Sequence, residues 1–208
     1  MIGLFDRDVF LKLCCCGLFD EGLVALGVTE PFRLVSTTST SSNKRIIEKR
    51  LPGFDVAPIL ARVAGAIASV PTIDGAMVDG ISESEIFRRL SNIDDIDGGE
   101  QLLATILLHD PSRRILISGD KRFVHTFARV LPAEWLAVRD SVISFEMCLL
   151  AIEGKYGFDL IMERVYPVRG CDGTLGHAFG SVPNREVFRA ALISYDPCRI
   201  PQDEDALV

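Results

Sequence analysis

The stretch at residues 114–130, RILISGDKRFVHTFARV, limits the folds open to this chain more than any other. It opens with the apolar run 115–117, which is short enough to be a strand buried on both faces. Phe123 and Phe127 then recur at helical spacing, so the pattern predicts a helix directly after Asp120. The stretch therefore predicts a parallel strand, an acid at its carboxyl end, and a helix.

Asp120 has two interpretations at this point, and both stay open. Asp is a favoured N-cap residue, so the side chain would serve only to hold the start of the helix. However, open α/β sheets place their ligands in the crevice at the carboxyl ends of the strands. In that position the same carboxylate is a candidate functional group.

The N-terminus repeats this arrangement. Residues 1–5, MIGLF, form an apolar run that ends at Asp6. Val9, Phe10 and Leu13 then follow at helical spacing. Two predicted strand ends therefore carry an aspartate.

Two glutamates join these acids from predicted helices. Glu48 lies in the helix predicted at residues 44–50, for which three neighbouring polar residues are candidate caps: Ser41, Ser42 and Asn43. Glu100 opens the helix GEQLLATILLHD after the acidic loop at residues 92–99. An acid in a first helical turn is also favoured by the helix dipole alone, which is the structural explanation for Glu100.

The alternation of strands and helices predicts an α/β fold with a central, mostly parallel sheet and helices on both faces. In such a sheet Asp6 and Asp120 can lie on neighbouring strand ends, with the helical glutamates facing them. Carboxylates gathered in this way repel one another, and Mg²⁺ or Mn²⁺ would relieve the repulsion. Two such ions can activate a water and stabilise the leaving oxygen of a phosphodiester.

At these residues the chain resembles a known family. Asp6 after an N-terminal strand, the helix GGEQLLATIL and the strand end ILISGDKRF together look like the PIN domain, a metal-dependent nuclease family. Ser118-Gly119-Asp120 matches the Thr/Ser-x-Asp context of the last family acid. The resemblance implies a PIN-like three-layer fold over residues 1–138. Residues 139–208 would then be a C-terminal extension, which the sequence pattern predicts to be partly helical with a disordered tail.

The resemblance also implies roles for the acids. The implied catalytic residues are Asp6, Glu48, Glu100 and Asp120. Of these, Glu48 in the sequence RIIEKR matches the early-helix glutamate of the family. The implied ligands for Mg²⁺ or Mn²⁺ are Asp6, Glu100 and Asp120, and Asp97 competes with Glu100 for the third position.

Three residues beside the last acid are candidate phosphate contacts. Lys121 and Arg122 would lie next to the metal site and could hold a phosphate. Solvated charges on a first helical turn are the alternative for both. Ser118 could orient Asp120, or it could serve only to form the turn.

The implied activity is metal-dependent hydrolysis of RNA by a toxin-like endoribonuclease, with RNA as the partner and an inhibitory protein or a homodimer left open. A catalytically inactive PIN-like module that binds nucleic acid or protein is the first alternative. The second is a phosphatase, since GLFDRDVF is similar to the motif of haloacid-dehalogenase-like enzymes. In those enzymes Asp6 would be the nucleophile and Asp8 the general acid.

Composition excludes some classes of protein. The net charge of −7 gives no overall sign of nucleic-acid binding, so any basic groove is local. No signal peptide is visible, and the apolar stretch at residues 56–70 is too short to span a bilayer. The spacing of the six cysteines suits neither a disulfide framework nor zinc. We expect a soluble, cytoplasmic protein that binds no membrane and buries its cysteines as small apolar residues.

The remaining patterns predict further elements. Residues 131–138 predict a short strand, residues 140–152 a helix, and residues 184–193 another helix. The spacing of Ser82 and Glu85 predicts a capping box. Residues 167–183 are rich in glycine and predict irregular structure.

Overall fold

Four short strands within residues 1–199, the part of the chain that the computed structural model describes, form one parallel sheet. Their bounds are β1 (Ile2–Phe5), β2 (Glu30–Arg33), β3 (Arg114–Ile117) and β4 (Val142–Ile143). The strands lie in the order β2-β1-β3-β4, and every pair is parallel. The strands predicted at residues 1–5 and 115–117 are thereby confirmed as the two central strands.

Helices connect and cover the strands. The α-helices of the described chain are α1 (Arg7–Cys16), α2 (Phe19–Leu26), α3 (Thr40–Arg50), α4 (Ala57–Ser69), α5 (Gly75–Val78), α6 (Glu85–Ser91), α7 (Gly98–His109), α8 (Lys121–Val130), α9 (Pro132–Val138), α10 (Phe145–Tyr156), α11 (Phe158–Arg164), α12 (Gly173–Phe179) and α13 (Arg185–Tyr195). Short 3₁₀ turns lie at Val35–Thr38, Arg139–Ser141, Tyr166–Cys171 and Pro197–Arg199. Within residues 1–199, no helix has the length and apolar character needed to cross a membrane.

The sheet is covered on both faces. Successive side chains of a strand point to opposite faces, so Leu4 and Leu116 enter one core while Phe5 and Ile117 enter the other. Residues of α7, α8 and α9 build the core around Leu4. Residues of α1, α10 and the helices that follow build the core around Phe5. The predicted α/β class, with a parallel sheet between two helical layers, is confirmed.

Two elements between residues 131 and 152 differ from their predictions. Residues 132–138 form α9 rather than a strand, because Pro132 suits the first turn of a helix and the helix buries Trp135 and Val138. The helix predicted at residues 140–152 begins later, where the Ser144 side chain accepts a hydrogen bond from the Met147 N–H. The two residues before Ser144 are β4. The predicted domain boundary at residue 138 is therefore not a boundary of the sheet.

Two helix starts were also predicted wrongly. The cap of α6 is Ser84, which accepts from the Phe87 N–H, and not Ser82. Helix α3 begins at Thr40, ahead of the predicted start at residue 44, so the predicted caps lie inside it. Tertiary contacts explain the longer helix, since Asn43 is buried and its amide donates to the Thr37 carbonyl at 2.7 Å.

The chain after residue 139 is mostly helical up to residue 199. The glycine-rich stretch predicted to be irregular contains α12, whose first turn is capped by Asp172. The helix predicted at residues 184–193 is confirmed as α13. The tail that was predicted to be disordered, residues 201–208, lies outside the described residues.

Candidate functional site

The central strands β1 and β3 end at the same edge of the sheet. Phe5 is in register with Ile117, and the Asp6 N–H donates to the Ile117 carbonyl at 3.0 Å. The chain leaves β1 toward β2 on one side and leaves β3 toward β4 on the other. This is a topological switch point, where open α/β sheets form a ligand crevice. Asp6 and Asp120 follow the two strands at that crevice.

The Asp6 side chain stands at the start of α1 but makes no capping hydrogen bond. Burial is the largest cause of a raised pKa, and the negative charge of Asp8 is the next acid contribution. Asp97 and Asp120 act in the same direction, and the pKa of Asp6 reaches about 7. Asp6 is therefore a carboxyl group that burial, reinforced by the neighbouring acids, keeps from ionising freely.

Asp97 and Glu100 form a capping box at the start of α7. Asp97 Oδ1 accepts from the N–H groups of Gly99 and Glu100, each at 2.8 Å. Glu100 Oε2 accepts from the Asp97 N–H at 2.9 Å. Each side chain thus uses one carboxylate oxygen in the box. The structural explanation considered for Glu100, support of the helix start, is confirmed as one of its roles.

Burial also dominates the electrostatics of Glu100, which is 5% exposed. The hydrogen bond from Asp97 opposes the shift, but the charges of Asp97, Asp120 and Asp6 reinforce it. The pKa of Glu100 rises to about 8. We name Asp6, Asp97, Glu100 and Asp120 the acid cluster, because their charges act on one another.

Asp120 caps α8, as one of its two interpretations predicted. Its Oδ1 accepts from the N–H groups of Arg122 at 2.8 Å and Phe123 at 3.1 Å. Its Oδ2 lies 3.5 Å from the Arg122 guanidinium. The cap is compatible with the second interpretation, in which Asp120 is a functional carboxylate at the crevice, since its charge still acts on Asp6 and Glu100.

Glu48 is the predicted site residue that the structure does not bring to the acid cluster. Its carboxylate lies 3.7 Å from Lys44 Nζ, and its side chain is 51% exposed. The residues of α3 that contact Arg7, the neighbour of Asp6 in the chain, are Ser42 and Asn43, which accept from its guanidinium at 2.6 and 3.0 Å. Asn43 could have been found from the sequence, since it shares a helix face with the buried Ile47.

The candidate phosphate contacts have different surroundings. Ser118 is 1% exposed, and its hydroxyl accepts from the Asp120 N–H at 3.4 Å, so it serves the turn. Lys121 lies 3.4 Å from Glu146 and stands over the Tyr195 ring. The Arg122 side chain is 63% exposed.

A buried ion-pair network beside the cluster was missed in the sequence. Lys12 Nζ lies 2.5 Å from Asp8 and 2.6 Å from Asp172, and Arg50 also pairs with Asp8. Burial disfavours both charged forms, but the partners outweigh it, so the pKa of Asp8 is lowered and that of Lys12 is raised. The sequence did hold a sign of the network, because Lys12 interrupts the apolar run that follows Asp8 in α1.

Within residues 1–199, no group of three or more His, Cys, Asp or Glu side chains has the geometry to hold a metal ion. Comparison with family models, curated proteins and solved structures found no match for this chain. The fold and the site thus define an α/β protein with mutually repelling carboxyl groups at the switch point of a parallel sheet.

Proposed function

We propose that this protein is a PIN-like nuclease that hydrolyses RNA with Mg²⁺ or Mn²⁺. The observation that carries the proposal is the acid cluster, in which two carboxyl groups have pKa values of about 7 and 8. Asp6 and Asp120 follow the two central strands at the switch point of the sheet, and their charges interact with those of Asp97 and Glu100 at the start of α7. Strongly perturbed acids in such a crevice are typical of functional sites.

The donor set suits a hard divalent cation. Asp97, Glu100 and Asp120 each use one carboxylate oxygen to accept backbone hydrogen bonds, and the side chain of Asp6 caps nothing. Mg²⁺ prefers such oxygens and binds with only one or two carboxylates plus water and phosphate oxygens. A cation would also offset the mutual repulsion that, in addition to burial, raises the two pKa values. The second oxygens of these acids would have to draw together around it.

In the proposed mechanism Asp6, Glu100 and Asp120 hold the ion, with Asp97 assisting. When bound, the ion supplies a more acidic water and neutralises charge on the phosphodiester. Asp6 and Glu100 must lose their protons to bind it, which couples binding to pH. The exposed Arg122 lies next to Asp120 and can contact a phosphate oxygen. The reaction needs no protein nucleophile.

A second candidate function is nucleic-acid or protein binding without cleavage. It is favoured by the contacts of Lys12 and Lys121, two cations on the helices that follow the central strands, with acids from beyond residue 138. These contacts lower the positive charge available to a phosphate backbone. The predicted inhibitory partner, homodimer and cytoplasmic location stay predictions under either function.

The phosphatase alternative gains less from the geometry. A general acid must carry a proton at the working pH. Lys12 and Arg50 overcome the effect of burial and lower the pKa of Asp8, which favours the ionised form. We therefore do not adopt Asp8 as a proton donor.

The proposal is tested by Mn²⁺ calorimetry and by cleavage of single-stranded and structured RNA. Asp6→Asn and Asp120→Asn remove charge, and Asn at position 120 keeps the helix cap. We expect wild type to bind Mn²⁺ and cut RNA, and both variants to lose at least about tenfold in affinity and activity. The control Asp95→Asn changes an exposed acid of the loop before α7 and should behave as wild type.

Other outcomes separate the candidates. A wild type that binds no Mn²⁺ contradicts the nuclease proposal. Site-specific Mn²⁺ binding without cleavage of any RNA favours the binding module. Loss of cleavage in Glu48→Gln would return Glu48 to the site, against its exposed position on α3.

A further inference from the structure

Two thiols from distant parts of the chain face each other inside the protein. Cys16 Sγ and Cys171 Sγ are 3.9 Å apart, although 155 positions separate the residues. Cys16 is the last residue of α1, and Cys171 ends the 3₁₀ turn Tyr166–Cys171. Both are buried, at 2% and 1% exposure. A disulfide requires that the two sulfurs approach to about 2 Å, so they must move about 2 Å closer for the bond to form.

Contacts on either side of Cys171 hold this segment against α3 and α1. A Cβ on Gly170 would lie 3.3 Å from the Arg50 carbonyl oxygen, so the chain packs closely on α3 there. On the other side, Asp172 forms its ion pair with Lys12, one turn before Cys16 in α1. The two thiols are therefore neighbours because of the surrounding packing, with no disulfide between them.

We propose that Cys16 and Cys171 are a redox-responsive pair that low-molecular-weight disulfides oxidise to an intramolecular disulfide. The thiolate of one cysteine attacks the reagent disulfide and releases one reagent thiolate. The second cysteine then attacks the mixed disulfide and releases the other. One protein S–S bond forms, two thiols are oxidised, and one reagent disulfide is reduced to two thiols. The proposal does not depend on the nuclease function.

The surroundings of the two cysteines determine the rate of disulfide formation and its effect on stability. The hydrogen bond to Cys171 and burial raise the pKa of the Cys16 thiol, so we expect slow exchange that speeds up as pH rises. The bond would link the end of α1 to the segment that carries Asp172. Because it would close a long loop, it should raise the midpoint of thermal unfolding by roughly 5 to 10 °C.

The test treats the full chain with oxidised glutathione at pH 8 and maps its thiols by alkylation and non-reducing mass spectrometry. We expect wild type to lose the mass of two hydrogen atoms and to yield a Cys16–Cys171 linked peptide. Cys16→Ala and Cys171→Ala should abolish the link and the rise in Tm. Cys15→Ala, a neighbour in sequence, and Cys148→Ala, a buried thiol in α10, are matched controls that should keep both.

Three results would overturn the proposal. Both thiols could remain free after prolonged oxidation of the folded protein. The link could join Cys171 to Cys14 or Cys15 instead. It could also form only between chains. The readout uses neither metal nor RNA, so its failure is distinct from a failure of the nuclease proposal.

Discussion

The capping hydrogen bond of Glu100 and the surroundings of its carboxyl group favour opposite charge states. Its carboxylate closes the capping box of α7, which favours the charged form. Burial and the neighbouring acids favour the neutral form, and they outweigh the hydrogen bond. The nuclease proposal gives a reason for this cost, since strongly perturbed acids are typical of functional sites.

This conflict predicts a pH-dependent effect of Glu100→Gln. The pKa of Glu100 rises from 4.5 to about 8 on folding, so the folded state keeps a proton that the unfolded state loses between these values. The penalty is absent below the unfolded pKa and grows as pH rises toward 8. Gln keeps the capping box and removes the penalty. We expect a gain of on the order of 1–3 kcal/mol at pH 8.5 and a much smaller gain at pH 5.

Urea unfolding at the two pH values, without divalent ions, measures this effect. Glu48→Gln is the matched control, because Glu48 is an exposed helical glutamate and should show no comparable dependence. Equal stability of Glu100→Gln and wild type at pH 8.5 would show that the carboxyl group is not destabilised by its surroundings.

Lys12 allows a second prediction at this scale. Its ammonium group joins two acids in a buried network, so Lys12→Met leaves Asp172 without its cation. We expect a loss of about 3 kcal/mol or more in the free energy of unfolding. Lys44→Met removes an exposed lysine from a pair with Glu48 and should cost less than about 1 kcal/mol. Chemical denaturation at pH 7 measures the free energy of unfolding of both variants, and equal losses would contradict a buried network.

At the scale of elements, prediction succeeded where the pattern is local. The strands β1 and β3, and the helices α1 and α8, follow from apolar runs, spacing and an aspartate between them. The strand β4 has only two residues and exists because it pairs with β3, so no local pattern marks it. The start of α3 depends on the contact of Asn43 with the Thr37 carbonyl, which sequence spacing does not reveal.

The residues of the candidate site also divide into those that the sequence predicted and those that it did not reveal. Asp6, Asp97, Glu100 and Asp120 were predicted, because strand ends and a helix start place them. The Lys12 network was not, because Asp172 reaches it from the far end of the chain.

Packing of β1 gives a prediction for Gly3. A Cβ there would lie 2.7 Å from Val28 Cγ1 and 3.0 Å from its Cγ2, and a β-branched side chain has little freedom to move away. Gly3→Ala should therefore cost about 1–3 kcal/mol. Gly65→Ala in α4, where a Cβ meets nothing within 4 Å, should instead gain roughly 0.5–1 kcal/mol. Thermal unfolding compares the stabilities of the two variants with that of wild type. A stabilising Gly3→Ala would contradict the packing of β1.

At the scale of the whole molecule, the two ends of the chain share one core. Phe5 and Phe10 lie in the same buried cluster as Phe145, Phe179 and Phe188. Glu153 is fully buried in α10 and pairs with Arg185 and Arg189 of α13. Residues of the described chain after 138 thus share a core with those before it, whereas the resemblance was stated for residues 1–138 alone.

A chain that ends at residue 138 should therefore not fold. It loses β4 and the aromatic residues that cover one face of the sheet. We expect far-UV circular dichroism without a cooperative thermal transition, whereas the full chain, purified in the same way, unfolds in a single transition. A cooperative transition in the truncated chain would identify residues 1–138 as an independent domain.

The acid cluster also marks where three helices begin. Asp6 precedes α1, Asp97 precedes α7 and Asp120 precedes α8. The amino end of each helix carries about half a positive charge, so each of these acids lies beside such an end. The backbone therefore supplies a permanent share of the counter-charge at this edge of the sheet. Under the proposed nuclease function, removal of the ion would thus leave the fold in place.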